Sequence, residues 1–172
     1  MEHPTWQAGV YDALKVAGIS QIGYVPDAGH RHLIESAHAD PAMKAVVLTT
    51  EEEGIALAAG AWLGGARCAL LMQSSGVGNC INMLSLPVSC RMPFLTLVTM
   101  RGEWREFNPW QVPMGTATPH VLTAVGVHIR RAERPDDVAE LVAASAALAF
   151  DTQIPVAVLF SQQLIGAKVW VK

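Results

Sequence analysis

Apolar residues in this chain fall into short unbroken runs, separated by segments whose apolar positions recur at helical spacing. Residues 5–18, TWQAGVYDALKVAG, predict an amphipathic helix with Thr5 as its cap and Gly18 as its stop. QIGYV (21–25) reads as a short strand closed by Pro26, and HRHLIESAHA (30–39) as a second helix. KAVVLT (44–49) is a β-branched run with the length of a buried strand. Glu51 to Leu63 predicts a helix, closed by Gly64 and Gly65. CALLM (68–72) is another buried strand. QSSGVGN (73–79) then reads as a glycine-rich turn, leading into a helix over roughly 78–90. FLTLVT (94–99) is the next strand, and residues 101–117 form a long loop rich in Trp, Pro and Gly. A short helix over 118–126 has Pro119 in its first turn, and VHIRR (127–131) is a fifth strand. Residues 134–150 form an amphipathic helix with an acidic first turn, and PVAVLF (155–160) is the last strand.

Strands and helices alternate, and most strands are apolar without alternation. That pattern predicts an α/β fold, a three-layer sandwich with about six parallel strands and helices on both faces. The 172 residues predict a single domain, 1–172. Hydrophobic residues make up 51% and charged residues 16%, which fits a packed domain or a subunit that buries surface on a partner. The net charge of -3, with Lys and Arg scattered, gives no reason to expect nucleic acid. Cys68, Cys80 and Cys90 are odd in number and lack CxxC spacing, so neither a disulfide framework nor a metal site is expected. The N-terminal residues are polar and acidic, unlike a signal peptide, and no apolar run has the length of a membrane helix. The expectation is a soluble cytoplasmic protein.

In an open α/β sheet, ligands gather at the carboxyl ends of the strands. PDAGHRH, EEEG and QSSGVGN each follow a strand, and they face one crevice if the strands are neighbours. Glu51, Glu52 and Glu53 open a helix that is otherwise apolar all round and rich in Gly and Ala. First-turn carboxylates favoured by the helix dipole explain one or two of them. A helix with no polar face points to a subunit interface, where a desolvated glutamate exchanges protons near neutrality. QSSGVGN is neither GxGxxG nor a P-loop, and a plain turn capped by Asn79 is an equal reading. Asp27 and either His30 or His32 are candidates to reach the crevice. Arg101 and Arg105 follow a strand and suit an anionic substrate, although salt bridges to Glu103 and Glu106 explain them as well.

The stretch TEEEGIALAAGAWLGGARCALLMQSSGVGNCINML, followed by PFLTLVTMRGE and PWQVPMG, resembles the thiamine diphosphate-dependent 2-oxo acid decarboxylases. Within them it is similar to the pyrimidine-binding part of the sulfopyruvate and phosphonopyruvate enzymes. The resemblance runs from Gly9 to about Phe160 and is strongest over 50–115. It implies that Glu51, nine residues before Gly60, bonds to the N1′ nitrogen of the cofactor's aminopyrimidine and is the catalytic group. It implies further that Ser75, Gly76, Val77, Gly78 and Asn79 pack on that ring, with Val77 where many relatives carry proline. The family binds the diphosphate through Mg2+ with a GDG stretch, which is absent from this sequence. The resemblance therefore implies half an enzyme: a pyrimidine-binding subunit completed by a beta subunit that carries the diphosphate and Mg2+ ligands, in an α2β2 assembly or a multiple of it. The implied substrate is a small anionic 2-oxo acid, 3-sulfopyruvate first and phosphonopyruvate next. Asp27, His30, Arg31, His32, Gln73 and Arg101 are the candidates to hold it. A carboligase on the same scaffold and a non-catalytic regulatory subunit are the rival readings.

Overall fold

Why some apolar runs become central strands and others edges follows from what lies on their two faces. The computed structural model describes residues 5–167. Its six strands are β1 (Ile19–Tyr24), β2 (Lys44–Val47), β3 (Arg67–Gln73), β4 (Phe94–Thr99), β5 (His128–Ala132) and β6 (Pro155–Phe160). All neighbours pair in parallel, in the order β2-β1-β3-β4-β6-β5. Every residue of β4 and β6 is buried, as an unbroken apolar run requires when helices cover both faces. Alternate residues of β3 serve two separate cores. Ala69 and Leu71 join one, and Cys68, Leu70 and Met72 join the other.

The first core is closed by α1 (Trp6–Val16), α2 (Arg31–Ala39) and α7 (Val138–Thr152). The second is closed by α3 (Glu51–Leu63), α4 (Ser74–Cys80) and α6 (Gln111–Ala124), with Leu84 ahead of the short α5 (Ser85–Ser89). A final turn of helix, α8, covers Gln162–Ile165. The sequence expectation of a six-stranded parallel α/β sandwich is met. Three local expectations are not. The run at 44–49 is the exposed edge strand β2, with Val47 62% exposed, because only β1 flanks it. The glycine-rich stretch is helix α4 from Ser74 onward, and a turn at 81–84 separates it from α5. Finally, α6 starts at Gln111, so the long loop ends near residue 110 and Pro119 lies inside the helix. Pro113 sits in the first turn of α6, where a missing N–H costs nothing.

Helix α3 lies closely on the sheet: a Cβ on Gly54 would stand 2.3 Å from Leu70 Cδ1. Its opposite face, with Ala56, Gly60 and Leu63, is exposed, so the described residues cover the helix on one side only.

Candidate active site

The order of strands puts β1 between β2 and β3, so the chain leaves β1 in one direction and returns on the other side. Ligands of open parallel sheets bind at such a reversal, beyond the carboxyl ends of the strands. The three polar stretches noted in the sequence follow these three neighbouring strands and meet there.

Glu51 is the first residue of α3 and is 9% exposed. Its Oε2 accepts a hydrogen bond from Asn79 Nδ2 at 2.9 Å. Its carboxyl group lies over Gly76, where a Cβ would come within 2.4 Å of both Cδ and Oε1. Gly76 therefore makes room for the carboxylate, which is why a helix tolerates glycine there despite its low propensity. Glu52 and Glu53 are exposed, and Glu53 Oε2 accepts from the Thr49 N–H at 2.8 Å, tying down the entry to α3. Beside Glu51 a cavity of about 170 Å³ is lined by Val25, Pro26, Asp27, Glu51, Gln73 and Ser75.

Asp27 is fully engaged. Gln73 Nε2 donates to Oδ1 at 3.0 Å, and Thr99 Oγ1 donates to Oδ2 at 2.6 Å. Burial alone would raise its pKa, but the neighbouring His30 and the hydrogen bonds from Thr99, Gln73 and the Gly29 backbone outweigh it and hold the carboxyl below its ordinary range. Ser75 Oγ donates to Gln73 Oε1 at 3.0 Å, which fixes the amide. Thr99 was missed in the sequence. Its position as the last residue of a strand at the carboxyl end was the available signal.

The candidate cations divide. His30 is 1% exposed, and its Nε2–H points at the carbonyls of Met72 (3.2 Å) and Leu97 (3.0 Å). Burial holds its pKa down against Asp27 and those carbonyls, and the ring packs at 5.9 Å from Phe160. Arg31 and His32 are exposed on α2; Arg31 lines a neighbouring cavity of about 380 Å³ with Asp27 and Glu35. Arg101, 6% exposed, is paired with Glu106 through Nε (2.7 Å) and Nη2 (2.6 Å). Arg105 stacks over Trp104 at 5.4 Å. On α4, Val77 is buried in the second core and Gly78 lies against Met114, while Ser75 is exposed at the cavity.

The Arg101–Glu106 pair orders the tryptophan loop. Glu106 also accepts from the Gly102 and Asn108 N–H groups and from Gln162 Nε2. The Arg101 hydrogen bond, against the opposing effect of burial and aided by these donors, pulls its pKa from 4.5 to about 2. A carboxylate whose folded pKa is depressed stabilises the fold above its unfolded pKa and loses that contribution as pH falls through the folded one. Stability of the wild type therefore falls faster than that of Glu106→Gln between about pH 4.5 and 2. At neutral pH, Glu106→Ala leaves Arg101 buried and unpaired, at a cost of about 3–5 kcal/mol. Urea unfolding of the three proteins across that range measures both effects, and equal midpoints at neutral pH would show that the pair is unimportant.

Among the described residues no cluster of His, Cys, Asp and Glu is placed to hold a metal ion. No helix among them is long and apolar enough to cross a membrane.

What the site does is narrowed by kinship. No family model matches the chain. In fold, it superposes on a 2-oxoglutarate:ferredoxin oxidoreductase from Magnetococcus marinus with a TM-score of 0.78 and 17% identity, covering 94% of this chain and 29% of that one. In sequence, it is 37% identical over 107 residues to a phosphonopyruvate decarboxylase from Streptomyces viridochromogenes, 61% of this chain and 27% of the relative. It is 39% identical over 151 residues to the sulfopyruvate decarboxylase subunit alpha of Methanothermobacter thermautotrophicus, 87% of this chain and 92% of that subunit. With that identity over nearly the whole of both chains, this chain belongs to the family of sulfopyruvate decarboxylase alpha subunits.

Proposed function

We propose that the chain is the pyrimidine-binding alpha subunit of a thiamine diphosphate-dependent enzyme that converts 3-sulfopyruvate to sulfoacetaldehyde and carbon dioxide. The observation that carries this reading is the Glu51 carboxylate. It is buried at a helix start, held on one oxygen by Asn79, cradled by Gly76, and set at the wall of a cavity at the strand reversal. Those residues fit an aminopyrimidine: a single carboxylate oxygen, Oε1, is left without a hydrogen bond among the described residues. When bound, thiamine diphosphate supplies a thiazolium ring that accepts the electrons released as carbon dioxide departs.

This chain's own contribution is to hold and move a proton. Asn79 fixes Oε2, so Oε1 is the atom that shares a proton with a ring nitrogen. Ser75 presents its side of α4 to the cavity, Gly76 makes room for the Glu51 carboxyl, Gly78 lets α4 pack on Met114, and Val77 anchors the helix to the core. Asp27 and Gln73 complete the cavity wall. Arg31 and His32 are the exposed candidates for the anionic head of the substrate, whereas His30 and Arg101 act through the structure around it.

The whole chain is one pyrimidine-binding domain in this reading. A beta subunit brings the diphosphate-binding domain and the Mg2+ ligands, in an α2β2 assembly or a multiple. The name of the methanogen relative, a subunit alpha of nearly this length, supports that division. Unpaired Cys68, Cys80 and Cys90 fit a reducing, cytoplasmic compartment.

Co-expression with the beta subunit and assay of the purified complex tests the reading. Sulfopyruvate is expected to be decarboxylated with the highest kcat/KM, pyruvate poorly, and neither by the chain alone. Faster turnover of phosphonopyruvate would reassign the substrate, as the Streptomyces relative suggests. A complex inert toward both acids would refute the enzymatic reading.

A further inference from the structure

Three neighbouring strands, β1, β3 and β4, each end on a residue or loop that reaches Asp27. Gln73 closes β3 and donates to Oδ1; Thr99 closes β4 and donates to Oδ2 at 2.6 Å, the shorter of the two bonds. Thr99 is 1% exposed, and the other oxygen within reach of its hydroxyl, the Met72 carbonyl, is at 3.5 Å. The backbone is shaped to this contact. A Cβ on Gly29 would stand 2.7 Å from Thr99 Cγ2 and 2.9 Å from Asp27 Oδ2, so the loop after β1 closes over the pair only with glycine at that position. Asp27 itself lines the cavity that holds Glu51 and the smaller one of about 120 Å³ that holds Thr99 and Arg101.

We propose that Thr99 is a positioning residue for the reaction: its hydroxyl fixes the Asp27 carboxyl at the wall of the cavity that Glu51 also lines. The inference rests on the decarboxylase reading for its kinetic consequence, and on geometry alone for its structural one. Both carboxylates line one cavity, and each is held by its own donors. Asn79 serves Glu51, and Thr99 with Gln73 serves Asp27. The charged or titratable groups facing Asp27 are His30 on its own loop, Arg31 and Glu35 from α2, Glu51 from α3 and Arg101 after β4. Arg101 is bound to Glu106 and His30 Nε2 is turned to the Met72 and Leu97 carbonyls, which leaves the hydroxyl and the amide as the direct donors from side chains. A second cleft carboxylate held in one orientation by two donors is a fixed acceptor, able to orient a donor group of the substrate.

The experiment is a carbon-13 NMR titration of the Asp27 carboxyl in the full chain, for wild type, Thr99→Val and Thr99→Ser, followed by the pH profile of kcat in the assembled complex. Valine keeps the shape and removes the donor. The Asp27 pKa is expected to rise by about one unit or more. The acidic limb of kcat is expected to move up with it, and kcat to fall about tenfold at little change in KM. Serine restores both. Thr99→Ala removes the same hydroxyl and takes the place of the valine variant should that one not fold. An Asp27 titration unchanged by loss of the hydroxyl, or a serine variant that titrates like valine, would overturn the proposal. A wild-type complex with no decarboxylase activity would instead refute the functional reading and leave the titration result standing.

Discussion

Glu51→Gln lowers kcat of the assembled enzyme by about 10²–10⁴-fold while leaving the subunits together, the range expected when a proton-transferring group is lost. The amide has the shape of the carboxylate, and its oxygen still accepts from Asn79, so the wall of the cavity is retained. What is lost is the ability of Oε1 to take and give a proton. Size-exclusion chromatography of the variant complex checks assembly, and single-turnover decarboxylation checks the rate. A variant that assembles and keeps the wild-type kcat would remove Glu51 from the chemistry and, with it, the main support for the proposed function.

Gly76→Ala is expected to cost about 10²-fold in kcat, for a different reason. The new methyl group would overlap the end of the Glu51 side chain, at 2.4 Å from Cδ and Oε1. The carboxyl is the movable party, so it swings aside, and the bond from Asn79 breaks. The fold is kept, because the clash is with the end of a flexible side chain and not with backbone. Far-UV circular dichroism and the urea midpoint should match wild type while kcat collapses. Normal kcat in a folded Gly76→Ala protein would mean that the placement of Glu51 is not critical. A deeper consequence separates the two variants. Glu51→Gln removes a proton carrier from a correct position, whereas Gly76→Ala removes the position and leaves the carrier.

The central strands were legible because a run buried on both faces has no polar register to hide in; FLTLVT and PVAVLF are observed as β4 and β6 with the boundaries read from the sequence. KAVVLT was misjudged as buried, since apolar run length reports hydrophobicity and says nothing of how many neighbours a strand has. The QSSGVGN stretch reads as a turn by local propensity, but the space that Glu51 needs over Gly76 and the core contact of Val77 favour helix. At the site, the meeting of Glu51, Asp27, Gln73 and Asn79 follows from strand order, which alternation of elements suggests but does not determine. The fate of the cations was legible in part. The salt-bridge reading of RGEWRE holds for Arg101 and Glu106, whereas the burial of His30 depends on two carbonyls from strands far along the chain.

The place of β6 in the sheet bears on how the chain is made. It is the sixth strand in sequence, yet it lies between β4 and β5 and is buried along its whole length. During synthesis β5 emerges with no strand to pair with, and the apolar edge of β4 stays open until residues 155–160 leave the ribosome. The nascent chain thus carries an unpaired sheet edge while residues 100–154 are made, the kind of surface on which aggregation begins and chaperones act.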